Sequence, residues 1–204
     1  MKPEHAPALV ILAAGASMRL GRCKALVEFE GSSVLERLVR AGACFDARPA
    51  LVVSGADHES IARALPDGAE LVFNALWSRG RSGSVRCARD ARAGFDLCLA
   101  PVDVPLVTAS VFQELLASWL AHAQPPRGWL APCTREAEGV SYGHPLIVGR
   151  ELLAELELLA PDAPLSELRR RADPLLAVAV ESQTIHDDLD SPSDLERLAR
   201  RTRI

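Results

Sequence analysis

Arg19 and Lys24 stand on a short loop that carries Gly15, Ser17 and Gly21 and follows the apolar run Ala8–Ala13. Glycine permits positive φ and close backbone approach. The successive amides of Ala14, Gly15, Ala16 and Ser17 can then form an anion-binding nest, and Ser17 adds a hydroxyl. Arg19 and Lys24 supply the positive charge that phosphates need. The lysine is notable because the 204-residue chain has 21 arginines but only Lys2 and Lys24. A compact ammonium is not interchangeable with a planar guanidinium at a phosphate. The loop has neither the Gly-Lys-Ser/Thr order of a P-loop nor GxGxxG. The same residues therefore also read as a strand-to-helix turn with two solvated cations.

Acidic residues form a second group. Asp103 lies between Pro101 and Pro105, just past the apolar run that ends at Ala100. A carboxylate on so stiff a turn suits Mg²⁺, which takes one or two carboxylates plus substrate phosphates. Asp is equally a common turn residue. Asp187, Asp188 and Asp190 crowd the start of the last helix. In an extended segment Asp188 and Asp190 point the same way, so either could be a second metal ligand, or the group could cap the helix. A third group, Asn74 through Val85, joins a strand to an Arg-rich helix. Its Gly80, Ser82, Gly83 and Ser84 offer donors where a helix begins, a natural anion position. His144 follows Gly143 and precedes Pro145, with no Cys or His nearby to make a metal site, and reads as a turn residue. Cys23 sits in the basic loop, where a thiol could be acidic, but it reads as a spacer.

Parallel strands must present these groups together. Apolar runs at Ala8–Ala13, Ala50–Ser54, Glu70–Phe73, Phe95–Ala100, Trp129–Pro132, Pro145–Val148 and Leu175–Val180 alternate with amphipathic stretches at Val34–Gly42, Asp57–Leu65, Ser84–Ala93, Phe112–Trp119, Leu152–Leu159, Leu165–Ala172 and Ser193–Arg201. Several runs are apolar at consecutive positions, as in strands covered on both faces. The alternation predicts an α/β fold with a mostly parallel sheet. The polar stretch Thr134–Tyr142 reads as a loop over the site or between two short strands. Ligands of such sheets bind beyond the carboxyl ends of the strands. The turns after Ala13, Phe73 and Ala100 would then share one rim.

Composition bounds the rest. The length suits one domain spanning residues 1–204. A net charge of −4 argues against a general nucleic-acid binder. Five scattered cysteines without a CxxC pair fit free thiols in a reducing compartment. No run is long enough to span a bilayer, and the N-terminus lacks the order of a signal peptide. A cytoplasmic location is the expectation.

Leu12-Ala13-Ala14-Gly15-x-Ser17-x-Arg19-Leu20-Gly21-x-x-Lys24 resembles the LAAGxSxRMGxxK signature of the nucleotidyltransferases that attach a nucleotide to molybdopterin, with Leu20 in place of Met. The blocks Asn74…Trp77…Gly80…Ser84-Val85, Asp103-Val104-Pro105, Gly143-His144-Pro145 and Asp188-Leu189-Asp190-Ser191-Pro192-Ser193-Asp194-Leu195 follow in the family's order. The resemblance covers nearly the whole chain. It implies a Rossmann-like three-layer α/β/α nucleotidyltransferase fold, Mg²⁺, and transfer of NMP from an NTP with loss of pyrophosphate. Ala13-Ala14-Gly15 together with Gly143-His144-Pro145 is similar to the cytidylyltransferase branch, which favours CTP over GTP. Arg81 departs from it, since that branch more often has Met there.

The resemblance assigns Arg19 and the amides of Ala14, Gly15, Ala16 and Ser17 to the β- and γ-phosphates, and Lys24 to the α-phosphate. It assigns Asp103 and Asp190 to the metal. Asn74, Gly80, Ser82, Gly83, Ser84 and His144 fall on the nucleotide or acceptor side. The implied acceptor is a phosphorylated small molecule such as molybdopterin, and a molybdoenzyme chaperone or apoenzyme is the implied protein partner. A sugar-1-phosphate nucleotidyltransferase and a non-catalytic nucleotide- or cofactor-binding protein are the rival readings.

Overall fold

The computed structural model describes residues 6–45, 48–136, 139–160 and 162–202. Ten strands are present among them: β1 (Ala8–Ala13), β2 (Glu28–Phe29), β3 (Ser32–Ser33), β4 (Ala50–Ser54), β5 (Ala69–Phe73), β6 (Leu97–Pro101), β7 (Trp129–Glu136), β8 (Gly139–Tyr142), β9 (Leu146–Val148) and β10 (Leu175–Ala179). The helices are α1 (Val34–Ala41), α2 (His58–Arg63), α3 (Arg81–Ala91), α4 (Ala109–Ala121), α5 (Arg150–Ala154), α6 (Leu165–Arg169) and α7 (Pro192–Arg201).

Eight strands form one sheet in the order β10-β7-β9-β6-β1-β4-β5, with β8 paired to β7. The pairs β6–β1, β1–β4, β4–β5 and β7–β10 are parallel, whereas β9 runs antiparallel to β6 and β7. β2 and β3 make a separate small hairpin. The mostly parallel α/β/α reading of the sequence is thus what the chain adopts. The described residues of Thr134–Tyr142 belong to the antiparallel strands β7 and β8, with Cys133 opposite Tyr142 and Glu136 opposite Gly139, rather than to a loop over the site.

β1 shows why its sequence is apolar throughout. Leu9, Ile11 and Ala13 enter a core shared with Leu35 and Leu38 of α1 and Phe112, Leu115 and Trp119 of α4. Ala8, Val10 and Leu12 enter the opposite core, shared with Val85 and Ala88 of α3 and Leu152 and Leu153 of α5. Alternate side chains on one strand therefore hold two helical layers to the sheet. Burial of each large aliphatic side chain stabilises by about 1.5–3 kcal/mol.

Caps fix the helices that carry the rim. Ser33 Oγ accepts from the Glu36 amide at 3.2 Å, and the Ser33 amide donates to Glu36 Oε2 at 2.7 Å, a capping box that starts α1. Ser191 and Asp194 do the same for α7, with Pro192 in its first turn. The last helix begins at Pro192, one residue before the expected Ser193. α3 begins at Arg81, three residues before the expected Ser84. Gly80 turns the chain there with φ of 115°, a conformation that side-chain-bearing residues rarely adopt. No helix among the described residues is long and apolar enough to cross a membrane.

Candidate active site

The rim at the carboxyl ends of β1, β5 and β6 gathers the predicted residues in a definite order. Ser17 organises the first loop. Its carbonyl accepts from the amides of Leu20 and Gly21 at 3.1 and 3.0 Å, and its hydroxyl accepts from the Lys24 amide at 3.3 Å. The loop thereby folds back on itself and turns Lys24 inward, where it is buried. Among the described residues no acceptor meets the amides of Gly15, Ala16 and Ser17. Three consecutive free amides beside a buried ammonium form a site for anionic oxygens.

Lys24 joins two carboxylates from distant segments. Its Nζ lies 2.6 Å from Asp190 Oδ1 and 3.2 Å from Asp103 Oδ1. The outer oxygens are also paired: Arg19 reaches Asp190 Oδ2 at 2.7 Å and Arg81 reaches Asp103 Oδ2 at 2.8 Å. The result is one continuous row, Arg19–Asp190–Lys24–Asp103–Arg81, across the cleft. Two backbone amides also set this juxtaposition, apart from the ion pairs themselves. The Leu189 amide donates to the Asp103 carbonyl at 2.7 Å, and the Asp190 amide donates to Asp194 Oδ2 at 3.1 Å. The cap of α7 thus places Asp190, and the turn after β6 holds the residue before it.

The acidic cluster divides by role. Asp187 is buried and held by Arg197 and Arg201 of α7, so it anchors the helix. Asp188 has its carboxyl raised above the usual range, first by burial and then by the charges of Asp190 and Asp103. Asp190 has its carboxyl lowered first by its hydrogen bond to Lys24 and then by its paired Arg19. Among the described residues no three His, Cys, Asp or Glu side chains form a metal cage. Two hard-oxygen carboxylates on one ammonium nevertheless suit an ion that completes its shell with phosphate oxygens and water.

Two cavities meet at Ser17 and Lys24. The larger, about 340 Å³, lies between Gly15, Ser17 and Lys24 on one wall and Trp77, Gly80, Arg81 and Ser84 on the other, with Leu12 and Asp103 beneath. The smaller, about 180 Å³, is bounded by Met18, Arg19 and Asp190. The larger is of the size that small-molecule ligands occupy.

Three predicted contact residues stand behind this wall rather than in it. Asn74 is 2% exposed; its Oδ1 accepts from the Leu76 amide at 3.0 Å and its Nδ2 donates to Ser84 Oγ at 3.1 Å. Ser82 is buried and donates to the Ala163 carbonyl. Gly83 packs on the Asn74 amide group. The hydrogen bonds of Asn74 and Ser82 go to Leu76, Ser84 and Ala163, so these residues support the turn that carries Gly80 and Ser84. Ala16 contributes its free amide but does not line either cavity.

His144 lies near Arg81 and Asp103. Burial, then Arg81, pushes its pKa down to about 4, so the ring is neutral at pH 7. Its Nδ1 is buried without a partner among the described residues. Gly143 before it is obligatory, since a Cβ there would lie 2.5 Å from the Ile185 carbonyl oxygen. Cys23 is the opposite of an activated thiol: burial, then Asp57, raises its pKa to about 11. Trp77 and Arg81, named in the sequence blocks but given no role at the site, line the larger cavity. Their place on the turn into α3, opposite the phosphate loop, was the available signal.

Residues 9–175 match the model of the MobA-like NTP transferase domain. The chain belongs to this family. As an NTP transferase it is a nucleotidyltransferase. Solved structures agree with the fold. Rv0371c from Mycobacterium tuberculosis H37Rv is similar over 95% of this chain and 98% of its own, with TM-score 0.72 and 25% identity. A manganese complex of the same mycobacterial protein covers 95% of this chain and 97% of its own, with TM-score 0.69 and 23% identity. Molybdopterin-guanine dinucleotide biosynthesis protein A from Archaeoglobus fulgidus covers 95% and 97%, with TM-score 0.70 and 18% identity. Comparison with curated protein sequences gives no significant match.

Proposed function

We propose that this NTP transferase moves CMP from CTP to the phosphate of molybdopterin cofactor, releasing pyrophosphate. The observation that carries the transfer chemistry is the Lys24 ammonium shared by Asp103 and Asp190 beside three free loop amides. The molybdopterin acceptor rests on the resemblance of Leu12–Lys24 and the blocks that follow it, and the preference for CTP on Ala13-Ala14-Gly15 with Gly143-His144-Pro145.

The acceptor phosphate is anionic near neutral pH, so one of its oxygens can attack the α-phosphorus without a strong general base. The bond from that phosphorus to the α,β-bridging oxygen breaks, and its electron pair leaves with pyrophosphate. Catalysis then depends on alignment and on neutralising charge. In this reading the amides of Gly15, Ala16 and Ser17, with Arg19, hold the β- and γ-phosphates. Lys24 turns from the carboxylates to the α-phosphate, where charge develops. Gly80 and Ser84 flank the nucleoside, and neutral His144 lies behind the site beside Arg81 and Asp103. Asp103 and Asp190 would hold a divalent ion, Mg²⁺, with Asp188 beside them; when bound it supplies Lewis-acid stabilisation of phosphoryl oxygens. The manganese complex of Rv0371c supports a divalent ion in this fold.

The test is pyrophosphate release from CTP, GTP, UTP and ATP, each with and without molybdopterin cofactor. Release should require the acceptor and be fastest with CTP. No release with any pair would overturn the reading, and a GTP preference would move the chain to the guanylyltransferase branch.

A further inference from the structure

All four carboxylate oxygens of Asp103 and Asp190 are already paired with cations. Two positions where an ion would coordinate are therefore blocked on the outer side by arginines. Arg19 does this from a side chain that is 74% exposed, where solvent screens the pair. Arg81 does it from the wall of the larger cavity, next to the space a polyphosphate would fill.

The backbone beneath Arg81 is tied down while its side chain is not. Ser82 is bonded to the Ala163 carbonyl, and Arg86 donates to the carbonyls of Leu156 and Leu159 at 2.6 and 2.8 Å. The Arg81 side chain itself is 49% exposed and makes its ion pair through one nitrogen. It can swing from a fixed base without disturbing α3.

We propose that Arg81 is a placeholder for the divalent ion. In the free enzyme its guanidinium occupies Asp103 Oδ2 and disfavours an ion that arrives alone. When the ion arrives with a polyphosphate, Arg81 exchanges the carboxylate for a phosphate oxygen. This rests on the reading of Asp103 as a metal ligand given above.

Charge decides the direction of the exchange. Three cations surround the two carboxylates in the row, so a bare dication meets a site already compensated. A polyphosphate brings enough negative charge to accommodate both the ion and the displaced arginine. The guanidinium loses one charge-assisted hydrogen bond and gains another of the same kind. Methionine, more usual here in the resembling branch, could fill the space but not perform the exchange. Arg81 is thus a positioning residue that favours delivery of metal as its nucleotide complex.

The experiment is a Mn²⁺ titration of the whole protein, followed by the paramagnetic resonance signal of free Mn²⁺, with and without CTP. Wild type, Arg81→Met, Arg81→Gln and Arg81→Met with Asp103→Asn are compared, each checked for an unchanged melting transition. Without nucleotide, both Arg81 variants should bind Mn²⁺ about tenfold more tightly than wild type, the effect of removing one like charge a few ångströms from a dication in a wet site. With CTP present the gain should vanish, and the variants should bind the nucleotide severalfold more weakly. Unchanged Mn²⁺ affinity in both variants, with binding that still depends on Asp103, would overturn the placeholder role alone. If the Asp103→Asn change leaves Mn²⁺ binding intact, the assignment of Asp103 to the metal falls, and the placeholder role with it.

Discussion

The chain holds buried or half-buried carboxylates at both ends of its sheet, and they are built differently. Asp96, at the amino end of β6, is 4% exposed. Its Oδ2 accepts from Trp119 Nε1 at 3.0 Å, and its Oδ1 accepts from the Arg150 amide and guanidinium at 2.9 and 3.2 Å. Indole and backbone donors fixed by the fold make this a knot. Asp103 and Asp190, at the other end, have side chains 31% and 34% exposed and are held by the side chains of Lys24, Arg19 and Arg81. These partners can leave and be replaced. A cavity near Asp96 of about 450 Å³ exceeds the one at Lys24. Volume therefore does not separate the two ends; exchangeability of the partners does. A locked carboxylate stabilises the fold, and an exchangeable one can serve a ligand.

Substitutions can break this contrast. The largest effect is expected for Lys24→Ala, which removes the shared ammonium. Turnover measured by pyrophosphate release should fall about 10²–10³-fold, and the melting temperature should move little because both carboxylates keep an arginine. Asp96→Ala should do the reverse. It strips buried Trp119 and Arg150 donors of their acceptor and should cost about 3 kcal/mol of stability, lowering Tm by roughly 6–12 °C for a chain of this size. Its kcat/KM at low temperature should stay within about twofold of wild type. A Lys24 variant that melted early, or an Asp96 variant that lost turnover while folded, would erase the distinction.

A smaller effect sharpens the electrostatics of the site. His144 has a folded pKa of about 4 against an ordinary 6.5. Between those values the unfolded chain binds the proton and the folded chain does not, so stability rises with pH across that window and is lost as pH falls through it. Denaturant midpoints between pH 7 and pH 4 should therefore decline less steeply in His144→Gln than in wild type. Equal slopes would mean that the ring is not held neutral by its surroundings. The smallest effect belongs to Arg19→Met. An exposed ion pair is worth less than about 1 kcal/mol, so Tm should not change, while KM for the nucleotide should rise severalfold if Arg19 holds its outer phosphates.

Much of the scaffold was legible because burial on both faces leaves a simple mark. β1 and β4 fall on the expected Ala8–Ala13 and Ala50–Ser54, both buried throughout. β6 lies later than expected, at Leu97–Pro101, and a ladder with β1 extends to Pro101. The start of α3 was not legible. Arg81-Ser82-Gly83-Ser84 is poor helix-forming sequence, and the first turn depends on Gly80 and on the distant Ala163 carbonyl.

At the site, spacing drew attention to the glycine-bearing basic loop, to Asp103 and to the acidic cluster, and the family resemblance chose Asp190 within that cluster. It could not show that a backbone bond from Leu189 to Asp103 would bring those segments together. Nor could it divide the acidic cluster, because local alternation turns Asp188 and Asp190 the same way. Asp187 is set apart only by the arginines one and more turns into α7. Asn74 and Ser82 lie behind the cavity wall, and a polar residue whose hydrogen bonds are internally satisfied looks no different in sequence from one that meets a ligand.

The most direct test of the exchangeable row is the location of manganese by anomalous scattering in crystals grown with a non-hydrolysable CTP analogue. The account predicts one peak in contact with carboxylate oxygens of both Asp103 and Asp190 and with a phosphate oxygen, and Lys24 turned to the α-phosphate. Manganese bound elsewhere, with Lys24 still bridging Asp103 and Asp190 beside a bound nucleotide, would contradict it.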